Sequence, residues 1–389
     1  MVERGKRTRE TGSDLYDANR LNCVIGEELY QSLVESGYVS FIGAFGAGKY
    51  PQRLAAEVYR SLGSDLQSLC SLFCFGRCVR LDALPHRVAD VVRKISLSRL
   101  VRIEDGYASV APLMLYVVGG MLYFAEIPSP LVTAYFGEDS VALAGRLNVL
   151  SSRIGKVLDV CSGPGIQGLL SAAAGHDVTA VEINPMAASI AKCNAALNGL
   201  SGCYNVVNEP FELFFQKSDE RYDKIFANPP LVPVPDEFSY QFVGAGGVDG
   251  LSVTNRLIRS APFMLNQGGE FVTVGVSGGD ESGPFVLDSI DALARTGAFS
   301  CSLSLFKDFD FSPDSEWVAG IGQTLKGYLF NSGGPDTSEI SARYLAAGVS
   351  RGFFFCLSIS AVADRFGDSS VRVFDFAPKN ISDTPWWAC

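Results

Sequence analysis

Residues 156–200 read KVLDVCSGPGIQGLLSAAAGHDVTAVEINPMAASIAKCNAALNGL, and the rest of the chain is interpreted outward from them. An apolar strand runs to Asp159. A turn, Cys161-Ser162-Gly163-Pro164-Gly165, then opens into a helical pattern. Glycines in such a turn let the backbone approach a ligand closely. A second apolar strand ends at Glu182, where a carboxylate can accept both hydroxyls of a ribose. Gly163, Gly165 and Gly168 also spell G-x-G-x-x-G, so a nicotinamide dinucleotide competes as the ligand at this level of reading.

Strand candidates continue at 157–161, 178–182, 204–207, 224–227, 270–275, 299–305 and 353–359, with helical patterns between most of them. Alternation of this kind builds a mostly parallel sheet with helices on both faces. Ligands on such sheets bind at the carboxyl ends of the strands, near the switch in strand order. The fourth strand candidate runs into Asn228-Pro229-Pro230 within YDKIFANPPLVPVP.

The segment from Asp159 to Gly165 resembles the first motif of class I S-adenosylmethionine-dependent methyltransferases, D-x-G/C-x-G-x-G, with Cys161 at the place of the commoner first glycine. Asn228-Pro229-Pro230 resembles the N-P-P-(Y/F) motif of enzymes that methylate amino groups, including release-factor glutamine methyltransferases and exocyclic-amine methyltransferases of nucleic acids. The resemblance extends over about 134–359. It implies a Rossmann-like α/β fold with a seven-stranded mostly parallel sheet. It also implies a cofactor site of Asp159, Cys161, Ser162, Gly163 and Gly165, with Glu182 and Ile183 at the ribose and Glu209 and Pro210 beside the adenine. Tyr135, Asp139 and Ser140, in AYFGEDSVALAGRL, resemble a segment that closes over the cofactor. Asn228 and Pro229 would be the catalytic pair, Asn228 also touching the cofactor. A planar amine is a poor nucleophile. Its hydrogen bonds to the Asn228 side-chain oxygen and the Pro229 carbonyl would aim it at the sulfonium methyl, on a loop stiffened by two prolines. Leu231 stands where the family has Tyr or Phe. Pro230, Leu231, Phe238 and Tyr240 are therefore the acceptor-side candidates, with Phe242 as another ring that could take the missing aromatic's place. GAGGVDGLSVTNRLI, residues 244–258, resembles the stretch that follows the motif in the same group.

Two domains are expected, 1–130 and 131–389. The first is mainly helical, with short strands near 101–103 and 110–127. That order resembles a winged helix, which in many methyltransferases serves dimerisation or covers substrate, so a homodimer is one reading of it. Residues 107–128 are apolar, but Gly119-Gly120 marks a hairpin rather than a membrane span. Residues 77–102 hold more base than acid, while the whole chain carries a net charge of −10, from 42 acidic and 32 basic residues. That balance disfavours nucleic acid as a partner without excluding a local patch. The 26 phenylalanines suit an enclosed apolar pocket.

Ten cysteines without an apolar leader in MVERGKRTRETG are expected to be reduced thiols in a cytoplasmic protein. No metal is expected. Gly43 to Lys49 fits a phosphate loop until Tyr50 replaces the Ser or Thr that would hold magnesium. Cys70, Cys74 and Cys78 miss the iron–sulfur interval by one residue, and their spacing places them on one helix face. Trp386 and Trp387 suggest a docked tail.

The expected function is methyl transfer from S-adenosylmethionine to an amine or amide of a small molecule or peptide. The alternatives are an RNA base or a protein glutamine as acceptor, and a winged-helix regulator that senses the cofactor.

Overall fold

The computed structural model describes residues 15–44, 56–129, 131–147, 153–328, 334–362 and 371–377. Most of the Gly43–Lys49 segment, together with Trp386 and Trp387, lies outside them.

The N-terminal lobe starts with helices α1 (Cys23–Glu35), α2 (Tyr38–Gly43), α3 (Ala56–Ser61) and α4 (Ser64–Leu69), the last continuing as a π-helical turn over Cys70–Cys74. Asn22 begins α1, its side-chain oxygen accepting the Ile25 N–H at 3.0 Å. Strand β1 (Val79–Arg80), helix α5 (His86–Ser96) and strands β2 (Arg102–Glu104) and β3 (Tyr107–Ser109) follow, forming a small antiparallel sheet in the order β1–β3–β2. Helix α5 buries Val88, Ala89, Val91, Val92 and Ile95, because apolar residues at three-to-four spacing share one face. Its charged face is internally neutralised. Arg87 pairs with Glu35, Arg93 with Asp90 and Lys94 with Glu28, while Arg80, upstream of the helix, pairs with Asp82. The basic stretch foreseen as a local patch is thus largely spent on intramolecular pairs.

The apolar segment 107–128 folds into β3 and a hairpin of β4 (Leu113–Val118) and β5 (Met121–Glu126). Gly119 and Gly120 turn it at φ 57° and 78°, a conformation that L side chains resist. No helix among the described residues is long and apolar enough to cross a membrane.

The larger lobe holds helix α6 (Glu138–Ala144) and strands β6 (Lys156–Val160), β7 (Asp177–Val181), β8 (Tyr204–Val207), β9 (Tyr222–Ala227), β10 (Leu265–Asp280), β11 (Gly283–Pro284), β12 (Phe299–Asp310), β13 (Arg351–Ala361) and β14 (Val371–Asp375). The strand order is β14–β12–β13–β10–β9–β6–β7–β8, with β11 pairing beside β10. Strands β8, β7, β6, β9 and β10 are mutually parallel, and β13 runs against both its neighbours. The seven expected strands are all present. Strands β11 and β14 extend the sheet beyond them. Its interior runs are apolar on both faces: Phe353, Phe355, Leu357 and Ile359 of β13 enter one core cluster, whereas Phe354 and Cys356 pack with the other.

Helices α7 (Ile166–Ala173), α8 (Pro185–Leu197), α9 (Phe211–Lys217), α10 (Thr254–Ser260) and α11 (Val286–Ala294) link the strands. Between β12 and β13 the chain makes an excursion of two helices, α12 (Glu316–Tyr328) and α13 (Thr337–Ala346). It has its own core of Val318, Ile321, Leu325, Ile340 and Tyr344 against Val234 and Phe311.

Helix α8 joins the lobes. The Asn194 side-chain oxygen accepts the Phe124 N–H at 2.8 Å, and its amide donates to the carbonyls of Phe124 (2.9 Å) and Pro164 (3.1 Å). Asn198 likewise takes both backbone groups of Leu122, at 3.0 and 2.7 Å. Strand β5 is thereby hydrogen-bonded by a pair of helical asparagines as if by another strand.

Candidate functional site

Strand β6 has β7 on one side and β9 on the other, so the strand order reverses there and a crevice opens at the carboxyl ends. A cavity of about 390 Å³ occupies it. The turn after β6 forms one wall. Cys161 and Gly163 take left-handed backbone at φ 56° and 54°, and Gly165 at 97°. A Cβ on Gly165 would lie 2.2 Å from the Tyr204 hydroxyl, so only glycine fits there. Burial pushes the Cys161 thiol up, which keeps it protonated and unreactive.

Glu182 faces the cavity from the end of β7. Its carboxylate accepts the Gly163 N–H at 2.8 Å and the Asn184 N–H at 2.7 Å. Burial raises its pKa, while the donated backbone bonds hold the charged form. Each oxygen keeps lone pairs for a hydroxyl. Glu209 and Pro210 line the next stretch of wall, the Glu209 carboxylate paired with Lys217 at 2.6 Å.

Asn228 closes the far side. Its amide nitrogen donates to Asp139 Oδ2 at 2.8 Å and to Ser140 Oγ at 3.2 Å. Its oxygen is buried and has no partner. An orphaned buried acceptor costs about 1–3 kcal/mol, so its persistence points to a donor supplied by a ligand. Asp139 also accepts from the Tyr135 hydroxyl at 2.8 Å.

Of the residues predicted from sequence, Tyr135, Ser140, Cys161, Ser162, Gly163, Glu182, Ile183, Glu209, Pro210, Asn228 and Pro230 line this one cavity. Others lie elsewhere. Asp159 is beneath the turn, where Oδ2 accepts the Gly168 N–H at 2.9 Å; it braces the glycine turn and does not face the cavity. Gly165 acts through backbone shape alone. Asp139 sits behind Asn228. Pro229 is buried and outside the lining. Leu231 is buried in the core. Phe238 and Tyr240 pack against the core beneath α12 and α13, drawn there by apolar burial. The ring at the cavity mouth is Phe242, 67% exposed, two residues beyond the expected Tyr240.

Sequence reasoning left out Thr133, Gln167, Val243, Ser252, Val253 and Arg256, which also line the cavity. Arg256 lies in α10, pairs with Glu212 and holds its guanidinium 5.6 Å from the Phe211 ring. The one sequence signal for it was its place soon after GGVDGL. Among the described residues no acidic, His or Cys cluster could hold a metal ion.

Burial, helped by nearby Glu182, lifts the Asp159 carboxyl to about 7. In the unfolded chain an Asp titrates near ~4. The folded state therefore holds the extra proton between those values, and stability falls as pH rises through that window. Asp159→Asn should remove this loss, melting above the wild type at pH ~8 and level with it at pH ~4. Equal melting temperatures at both pH values would contradict the buried, protonated carboxyl.

The fold and the site are similar to those of class I S-adenosylmethionine-dependent methyltransferases with an N-P-P motif. Residues 136–280 match the family model of the methyltransferase small domain. The ribosomal protein uL3 glutamine methyltransferase of Bradyrhizobium diazoefficiens is 34% identical over 152 residues, 36% of this chain and 46% of that protein. The release factor glutamine methyltransferase of Mycolicibacterium smegmatis is 30% identical over 201 residues, 49% of this chain and 65% of that protein. The chain thus spans less than two thirds of each of these relatives.

The cofactor of this class, S-adenosylmethionine, fits the residues present. The cavity volume falls in the range of small-molecule sites. A bare backbone turn and a buried ribose-height carboxylate flank one end, and an unpartnered acceptor stands at the other.

Proposed function

We propose that this chain methylates the side-chain amide nitrogen of a protein glutamine, drawing the methyl group from S-adenosylmethionine. The observation that carries the reading is the buried, unpartnered side-chain oxygen of Asn228, a residue that lines the cavity beside Pro230. An oxygen held in that way accepts a hydrogen bond from an N–H of the acceptor and fixes the direction of the nitrogen lone pair. That is alignment chemistry, with no base or metal required.

The small-molecule acceptor favoured by composition gives way here to the alternative. Both relatives named above are glutamine methyltransferases. The RNA-base alternative loses support because Arg80, Arg87, Arg93 and Lys94 of the basic stretch are paired with Asp82, Glu35, Asp90 and Glu28. A regulator that only senses the cofactor has no use for an acceptor oxygen.

S-Adenosylmethionine, when bound, supplies an electrophilic methyl group on sulfur. The Ser162–Gly163 backbone and Glu182 would hold its nucleoside part. Asn228 would hold the glutamine amide, whose nitrogen forms the new bond to the methyl carbon as the carbon–sulfur bond breaks. The amide proton is then lost to water. The exposed Phe242 would cover the acceptor as it enters, in place of the aromatic absent at position 231.

The test incubates the full chain with methyl-labelled S-adenosylmethionine and separate fractions of ribosomal protein, release factor, RNA and metabolites. Label is expected on a glutamine of a protein fraction. Label confined to RNA or metabolites would overturn the acceptor assignment, and label nowhere would overturn the activity.

A further inference from the structure

Resting on that reading, we propose that Asp139 is a positioning residue for the acceptor clamp and not a cofactor contact: it holds the Asn228 amide so that its oxygen, and not its nitrogen, faces the acceptor.

An ionised carboxylate has only lone pairs to offer, so whatever faces it must donate. Asp139 Oδ2 lies 2.8 Å from the Asn228 amide nitrogen, and Ser140 Oγ takes the same nitrogen at 3.2 Å. Both amide hydrogens are therefore engaged by the first turn of α6, by Asp139 behind the cavity lining and by Ser140 within it. Turning the amide over would set its oxygen against the Asp139 carboxylate and break that bond, whereas the Ser140 hydroxyl can serve either orientation, so the carboxylate decides. The Asn228 oxygen is left buried and unpartnered, the outcome a clamp needs.

The carboxylate is itself fixed. Its other oxygen accepts from the Tyr135 hydroxyl at 2.8 Å, and the first turn of α6 is held by Gln167, which donates to the Ser140 carbonyl at 3.1 Å. Asp139 is buried and absent from the cavity lining, so it reaches no ligand directly. A second effect follows from the same contact. A negative charge accepting from the amide nitrogen pulls electron density toward the amide oxygen, making it a stronger acceptor. Tyr135, Asp139 and Asn228 thus form one chain that ends on a single oxygen.

The test uses the full chain with 15N-labelled asparagine. The side-chain NH2 signal missing from Asn228→Ala identifies Asn228. In the wild type that signal should exchange slowly with solvent, and in Asp139→Asn at least about tenfold faster. Cofactor affinity by calorimetry should stay within about threefold, while kcat falls at least about tenfold with little change in the KM for cofactor. Tyr135→Phe should move the same signals in the same direction by less, and serves if Asp139→Asn does not fold.

An Asn228 signal unchanged in both variants overturns the inference whether or not any acceptor is turned over. Loss of cofactor affinity in step with kcat also overturns it, returning Asp139 to the cofactor. Faster exchange in a protein that methylates none of the fractions upholds the amide orientation and overturns only the function it was meant to serve.

Discussion

Asn228→Ala is expected to slow methyl transfer by about 10²- to 10³-fold while cofactor affinity stays within about twofold. The magnitude follows from removing one preorganised hydrogen-bonding group from a water-poor site. Alanine takes away one of the two unpartnered buried side-chain oxygens that the described cavity-lining residues carry, the other being Ser162 Oγ in the cofactor turn. It also leaves the Asp139 carboxylate with the Tyr135 hydroxyl as its remaining side-chain partner. Cofactor binding is spared because the Gly163 turn and Glu182 stand on β6 and β7, and the Glu182 carboxylate is braced by backbone N–H groups of Gly163 and Asn184. Asn228→Asp separates alignment from space. It keeps the volume but sets a carboxylate against Asp139, and like charges at that distance repel or take up a proton. Single-turnover transfer with labelled cofactor, measured beside calorimetric binding, decides the matter. Parallel loss of both quantities would move Asn228 from the acceptor to the cofactor.

Gly26→Val is expected to destabilise the protein by about 3 kcal/mol, read as a lower urea midpoint. A Cβ on Gly26 would sit 1.8 Å from the Leu197 carbonyl oxygen, and the obstacle is backbone, which no rotamer change relieves. Helix α1 would have to lift from α8, opening a core in which Leu29, Phe73, Val92 and Tyr123 pack with Ile190 and Leu197. Gly43→Ala makes the control, since a Cβ there meets nothing nearby. Equal midpoints for Gly26→Val and wild type would mean that the two helices do not meet this closely in solution.

Features that depend on a few consecutive residues were legible in the sequence. Strand, glycine turn and helix over 156–173 follow from local backbone needs, and Glu182 and Asn228 stand at strand ends, where the topology fixes their place. What escaped depends on contacts between distant segments. Phe238, Tyr240 and Phe242 alternate in one loop and look equivalent as sequence. Helices α12 and α13 draw the first two beneath them and leave the third at the cavity. Asp139 was read as a lid residue because nothing local shows that its carboxylate meets an amide 89 positions away. Arg256 is a helix residue whose helix happens to end at the cavity. The spent charges of α5 were hidden for the same reason, since Glu28 and Glu35 belong to another helix.

One amide has a reach that the contact distances alone do not express. Asn194 holds both backbone groups of Phe124 in the N-terminal lobe and, with the same nitrogen, the Pro164 carbonyl inside the cofactor turn. A partner that shifts the β4–β5 hairpin therefore does work on that turn, and a cofactor that tightens the turn does work on the hairpin. Thermodynamic linkage makes the two effects equal in free energy. The lobe, whose Tyr123 also lines the cavity, is thereby linked to the affinity of the site.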